Sequence, residues 1–299
     1  MARVLCVLVL AFVCGQSAAS LVARYDSFLS GLWSSLYGDS TTEWPYVEFN
    51  NGSPRQSPVD LITSEARRAH LAPLAIHEPN MVGHQAKLYN SGHTAYVYMN
   101  DEAENRPYMK GGPLLDDKYI FEQLHFHWGS EDVWGSEHMI DGEGRSVEIH
   151  MVHWNSKYNS FDNASTMDDG LAVLTVFAEG CDVDNSLLTP LHTLLPNISD
   201  AKTSAYLDTA EAFKWVHSAF NLNHEYYTYP GSLTTEPYSE NVRWILFIEP
   251  IKLSYTQLHS FRTLHSEHSS TIADNKRNVQ PIHARPVLVS SNILKPNLS

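Results

Sequence analysis

Three histidines in two short segments constrain this chain more than any other feature. They are His125 and His127, in Gln-Leu-His-Phe-His-Trp-Gly over 123–129, and His150, in Glu-Ile-His-Met-Val-His-Trp-Asn over 148–155. Both segments are rich in aromatic and branched residues with period-two alternation, the pattern of a strand. Alternate side chains of a strand share a face, so Gln123, His125 and His127 project together while Leu124, Phe126 and Trp128 point the other way. In the second segment Glu148, His150 and Val152 share one face, with Ile149, Met151 and His153 opposite. If the two strands are neighbours, three imidazoles converge. Three neutral nitrogen ligands leave the fourth tetrahedral position open for water, the arrangement of a catalytic zinc.

A lone His-x-His in a strand is more commonly a surface pair or a satisfied core pair, and a single histidine such as His150 is more commonly structural. The flanking residues argue against that here. Gln123 and Glu148 each lie two residues before a histidine on the same face, placed to accept the second ring N–H of His125 and His150. Such partners fix the tautomer and orientation of metal-ligating imidazoles.

The surroundings are those of a globular chain of 299 residues with 43% hydrophobic and 11% aromatic content, enough for one large core or two small ones. Residues 1–19 read as a signal peptide: Arg3, an apolar run from Val4 to Cys14, and a small-residue Ser17-Ala18-Ala19 site. The run is too short to span a bilayer and no later segment is long enough, so no membrane span is expected. The tail, 291–299, lacks the apolar stretch of a lipid-anchor signal. These features predict a secreted, extracellular product. The net charge of −14 becomes −15 when Arg3 leaves, and no basic stripe interrupts it, which argues against a nucleic-acid partner. Asn51, Asn163, Asn197 and Asn297 head Asn-x-Ser sequons, candidate glycosylation sites on a secretory route.

Residues 20–36 form an amphipathic extension, with Tyr25, Leu29, Leu32, Trp33 and Leu36 at helical spacing. No repeat or linker divides the main body of the chain. Strand-like runs lie near 95–99, 119–128, 147–154, 171–178 and 242–248. Helix-like runs are fewer, at 186–195, 210–218 and 254–265, the last opening on a Ser254/Gln257 capping box. The fold class is mainly β with surface helices (α+β).

The chain resembles the α-class carbonic anhydrases. The resemblance is carried by Arg55-Gln56-Ser57-Pro58-Val59-Asp60, Asn90-Ser91-Gly92-His93, Lys110-Gly111-Gly112-Pro113-Leu114, Leu124 to Gly129, and Ser136-Glu137-His138. It continues through Glu148 to Asn155, Asp169-Gly170-Leu171-Ala172-Val173-Leu174, Tyr229-Pro230-Gly231-Ser232-Leu233-Thr234-Thr235 and Asn275 to Pro281. These segments run in the family's order over residues 37–290. The resemblance implies a large, twisted, mostly antiparallel central sheet and one zinc per chain on His125, His127 and His150. The implied reaction is reversible hydration of carbon dioxide to bicarbonate and a proton by a zinc-bound hydroxide, with ester hydrolysis as a side activity. It also implies inhibition by sulfonamides.

The same resemblance supplies further roles. Glu137 accepts a hydrogen bond from the Thr234 hydroxyl, which leaves the Thr234 oxygen only an acceptor role toward the attacking oxygen. Val152, Val173, Leu233 and Trp244 form a dry carbon dioxide pocket, with Thr234 and Thr235 lining the same cavity. His93 is the proton shuttle, and an imidazole with an ordinary pKa near 6.5 suits that work. His138 and His153 match buried structural histidines, and His265 and His268 are surface residues.

The chain departs from the family in places. Once residues 1–19 leave, Cys181 is the sole cysteine, so no internal disulfide forms; Tyr238 stands where secreted members place one partner. Glu236 replaces a proline before Pro237, and Lys276 and Asn278 flank Arg277 in place of an aromatic residue and a proline. A carbonic-anhydrase-like binding or structural protein with little catalysis is the alternative reading. Relatives of that kind lose one of the three histidines, whereas all three are present here. Oligomeric state is not legible in the sequence.

Overall fold

The structure, a computed structural model, describes residues 52–222 and 225–290. The predicted signal peptide, the 20–36 extension, the 291–299 tail and the sequons at Asn51 and Asn297 lie outside the described residues. Strands are numbered along the chain. The first eight are β1 (Asp60–Leu61), β2 (Arg67–Ala69), β3 (Ala75–His77), β4 (Gln85–Asn90), β5 (Ala95–Met99), β6 (Tyr108–Lys110), β7 (Tyr119–Trp128) and β8 (Met139–Ile140). The remainder are β9 (Val147–Asn155), β10 (Leu171–Cys181), β11 (Ser204–Asp208), β12 (Tyr226–Gly231), β13 (Val242–Phe247), β14 (Ile251–Ser254) and β15 (Leu288–Ser290).

Among the described residues, thirteen of these strands make one sheet, whose main path runs β11-β4-β5-β7-β9-β10-β13-β12-β15-β2. Most neighbours along it are antiparallel; β10 with β13 and β15 with β2 are parallel. The helices are short: α1 (Phe161–Ala164), α2 (Thr189–His192), α3 (Thr209–Phe213), α4 (Val216–Leu222) and α5 (Tyr255–Phe261).

The central strands β7, β9 and β10 are covered on both faces, so their alternation separates two apolar clusters. Leu124, Phe126, Trp128, Ile149, Met151, Leu174 and Val176 belong to one cluster, beneath the helices that carry Leu191, Phe213 and Phe261. Val152, Trp154, Val173, Trp244, Leu246 and Tyr229 belong to the other. Each such aliphatic or aromatic side chain contributes roughly 1.5–3 kcal/mol by its burial. A bulge at Glu122 shifts the β7–β9 register between Phe121 and Gln123. The extra residue keeps Phe121 and Leu124 in the same cluster and turns Gln123 to the opposite face, beside His125.

The strand expectations hold to within three residues. The helical ones shorten. The run 186–195 yields α2 and a separate 3-10 turn, Leu195–Ile198. Pro190 and Pro196 each sit in a first turn, where their missing N–H is harmless, and Pro196 cannot extend the helix before it. The run 210–218 is cut into α3 and α4, where the Trp215 indole donates to the Ala212 carbonyl at 3.1 Å. The capping box at Ser254 and Gln257 is formed, but α5 stops at Phe261 rather than 265. His265 instead bridges Thr271, so it and His268 do not share a helix.

Asn163 and Asn197 are exposed, Asn163 on α1 and Asn197 on the 3-10 turn. Cys181 is a half-buried free thiol. No helix among the described residues is long and apolar enough to cross a membrane.

Candidate metal centre

Antiparallel pairing of β7 with β9 sets His125 directly opposite His150 and His127 opposite Glu148. The three imidazoles share one face and all are buried. Nδ1 of His150 lies 3.2 Å from Nε2 of His125 and 3.2 Å from Nε2 of His127.

Hydrogen bonding assigns the protons. His125 Nδ1 faces Gln123 Oε1 at 2.9 Å, His127 Nδ1 faces the Asn275 carbonyl at 2.8 Å, and His150 Nε2 faces Glu148 Oε1 at 2.6 Å. A carbonyl or carboxylate oxygen can only accept, so each of these ring nitrogens carries the proton. The other three nitrogens are therefore bare, and three lone pairs meet in a buried space. A cation resolves that repulsion. Tetrahedral bonds of 2.0–2.1 Å from nitrogen to zinc separate the ligand atoms by roughly 3.3–3.4 Å. The observed spacing fits.

Electrostatics agree. Burial, reinforced by His150 and His127, holds His125 well below the ordinary imidazole pKa, and burial lowers His150. Both are neutral at physiological pH, the form that donates a lone pair. Glu148 is fully buried. Burial opposes its ionisation, but His138 and His150 outweigh that and keep its pKa well below the carboxylate range. Its Oε1 also receives His138 Nδ1 at 2.7 Å, and its Oε2 accepts the backbone N–H groups of Glu137 and His138 at 2.9 and 2.8 Å. His138, Glu148 and His150 also sit close enough to suggest a second cation site. Their atoms are already joined at hydrogen-bond distance, which leaves no place for an ion. His138 continues through Nε2 to the Tyr229 hydroxyl at 2.6 Å, and Tyr229 to Ser57 at 2.8 Å.

The remaining predicted residues are distributed unevenly around this centre. Glu137 is buried, with Oε2 at 3.5 Å from His127 Nε2 and 3.9 Å from His150 Nδ1. Its Oε1 accepts the Arg277 backbone N–H at 2.7 Å, and its Oε2 has no hydrogen-bond partner. No bond joins Thr234 to Glu137 here; Thr234 is buried, and the unpartnered Glu137 oxygen lies beside the His127 and His150 nitrogens. Val152 pairs with Val173 and Val173 with Trp244, so these buried residues form one row across β9, β10 and β13. The Trp244 ring lies 4.8 Å from that of His150 and its indole donates to Ser232. Leu233 is half-buried, Thr235 and His93 are exposed. His153 is buried on the opposite face, against Phe121.

The sequence gives no sign that Asn275 is the partner of His127. A main-chain carbonyl 148 residues away leaves no residue-type signal. Thr175, paired with His150 from β10 and buried with an unpartnered hydroxyl, is equally silent. A threonine between Leu174 and Val176 in an apolar strand offers no reason to single it out.

Comparison with known proteins accords with this geometry. Residues 39–291 match the family described as eukaryotic-type carbonic anhydrase. Carbonic anhydrase 7 of Mus musculus is 37% identical over 271 residues, covering 86% of this chain and 97% of the mouse protein. The mitochondrial carbonic anhydrase 5A of Rattus norvegicus is 36% identical, covering 84% and 81%. Carbonic anhydrase 1 of Monodelphis domestica is 35% identical, covering 86% and 93%. With three bare imidazole nitrogens on neighbouring strands and a match across most of its length, the chain belongs to the eukaryotic-type carbonic anhydrase family, the enzymes of carbon dioxide hydration.

Proposed function

We propose that this protein hydrates carbon dioxide reversibly through a zinc-activated water, with His125 and His127 binding the ion through Nε2 and His150 through Nδ1. The observation that carries this reading is the convergence of three bare nitrogens, with His150 Nδ1 at 3.2 Å from each of the other two and each tautomer held by a separate acceptor. When bound, zinc supplies the acidification of water to a pKa of about 7, a value already established for carbonic anhydrase itself.

The chain's own residues do the rest. Gln123, the Asn275 carbonyl and Glu148 hold the rings in place and raise their basicity. Glu137 Oε2, buried and without a donor, is open to the Thr234 hydroxyl, and that bond would form when the centre is occupied. With that bond made, Thr234 Oγ1 can only accept, so it takes the proton of the attacking oxygen as a hydrogen bond and turns a lone pair to the substrate carbon. Its backbone N–H holds a product oxygen, or one of a sulfonamide inhibitor. Carbon dioxide has no donor and only weak acceptors, so the row Val152, Val173 and Trp244, with Leu233, serves it better than a polar wall. Thr235 adjusts the polarity of that cavity. His93, exposed, carries the released proton to buffer. Reactive esters are a secondary substrate.

Residues 1–19 direct export, and Asn51, Asn163, Asn197 and Asn297 are the positions open to glycosylation on that route. Expression in a eukaryotic host is expected to yield a secreted chain beginning near Ser20; a chain kept inside the cell with Met1 intact contradicts the assignment. For the reaction, metal analysis and a carbon dioxide hydration assay on the full chain are expected to give one zinc per chain and an activity abolished by chelation. Full activity with no metal bound overturns the proposal.

A further inference from the structure

His93 sits in a turn tied down on both sides. Before it, the buried side chain of Asn90 donates to the carbonyls of Ile198, Ser199 and His265 at 3.1 Å each and accepts the Gly92 N–H at 2.8 Å. Gly92 has φ of +88°, which glycine adopts without strain. After it, the Thr94 hydroxyl donates to the Phe126 carbonyl. The third tie comes from Asn275, 182 residues downstream, whose Nδ2 donates to the His93 carbonyl at 3.0 Å.

Asn275 makes three more bonds, all to β7. Nδ2 also donates to the Phe126 carbonyl at 3.1 Å, Oδ1 accepts the Trp128 N–H at 2.8 Å, and the main-chain carbonyl accepts from His127 Nδ1 at 2.8 Å. One residue thus grips His127, both of its chain neighbours, and the backbone of His93. The main-chain and side-chain bonds are chemically separable. Substituting the side chain leaves the carbonyl that serves the metal ligand.

We propose that the Asn275 carboxamide is a positioning residue for proton transfer, bracing the His93 turn against the strand that carries His125 and His127. This rests on the reading of His93 as shuttle. In that step a proton leaves water at the centre, rides on a His93 ring nitrogen and passes to a buffer base, which restores the neutral imidazole. Transfer of this kind depends steeply on where the acceptor is held, whereas the attack on carbon dioxide needs only the centre itself. The brace therefore acts on one half of the cycle.

The test is a set of three variants of the full zinc-loaded protein: His93→Ala, Asn275→Ala, and the two combined. Asn275→Asp, which keeps an acceptor for Trp128 and removes the donor, replaces the alanine variant if that one does not fold. In dilute buffer Asn275→Ala is expected to lower kcat by about 3- to 10-fold. Zinc stoichiometry should stay at one and kcat/KM should hold within about twofold. Added imidazole should restore kcat, and in the His93→Ala background the substitution should have no further effect. Wild-type kcat in Asn275→Ala alongside an impaired His93→Ala overturns the brace while sparing the shuttle. Unchanged kcat in His93→Ala removes the shuttle and the brace with it. Parallel loss of kcat and kcat/KM, or loss of zinc, places the amide in the metal site instead and also overturns the proposal.

Discussion

Glu148 holds His150 at 2.6 Å, and it does so with an oxygen that it shares with His138. Its two oxygens take four donors in a site closed to water, so each is needed as an acceptor. Glu148→Gln must turn one acceptor into an NH2 group that faces existing N–H donors. The expected result is a zinc affinity about 10–100-fold weaker, in line with other partners of metal-bound histidines. Competitive chelation measures it directly, and an affinity equal to the wild type would show that His150 needs no such anchor.

His150 itself supplies the Nδ1 that lies 3.2 Å from each of the other two ligand nitrogens. His150→Ala leaves two ligands, too few for a tetrahedral ion. The variant is expected to retain less than about a tenth of the wild-type zinc after dialysis against a chelator. Titration calorimetry with an aromatic sulfonamide should show binding to the wild type and none to the variant. Sulfonamide binding to a zinc-free variant would detach inhibition from the metal.

Glu137 makes a different prediction because it faces the centre without ligating it. The Arg277 N–H occupies Oε1, so in Glu137→Gln the amide oxygen stays there and the NH2 group takes the place of Oε2. A donor then stands where an acceptor is required by Thr234. Zinc content should be unchanged and kcat/KM should fall by about 100-fold, the scale of losing one oriented hydrogen bond at a reacting centre. Thr234→Ala should show a similar loss, and the double variant little more than either. Additive losses would mean that the two residues do not act together.

His153 predicts how stability depends on pH. Burial pushes its pKa down to about 4, against an ordinary value of 6.5. The unfolded chain therefore binds a proton between pH 6.5 and 4 that the folded chain does not. Stability is full above pH 6.5, falls as pH drops through the window, and loses no more from this group below pH 4. The cost across the window is about 3 kcal/mol. Denaturant unfolding of the wild type and His153→Asn should give a difference that shrinks from pH 7 to pH 4.5 as the wild type weakens. A constant difference over that range would show that His153 titrates normally.

Much of the centre is legible in the amino-acid sequence, for a simple reason. A strand places residues i and i+2 on one face whatever surrounds it, so Gln123 with His125, His125 with His127, and Glu148 with His150 are each determined locally. The capping box at Ser254 is legible for the same reason, since its bonds close within one helical turn. Resemblance over a nearly complete chain then implies the sheet, which periodicity alone could not order.

The features that the tertiary structure decided depend on segments far apart in the chain. The pairing of His125 with His150 exists only because β7 and β9 align in one register, which the bulge at Glu122 adjusts. The choice of Nε2 or Nδ1 as ligand atom depends on where each ring finds its acceptor, and for His127 that acceptor is the backbone of Asn275. The break between α3 and α4 reflects a Trp215 bond that helical periodicity does not encode, and the early end of α5 reflects His265 pairing elsewhere. Local sequence determines which side chains share a face. Only the packed chain determines which backbone atoms, carrying no residue signature, lie opposite them.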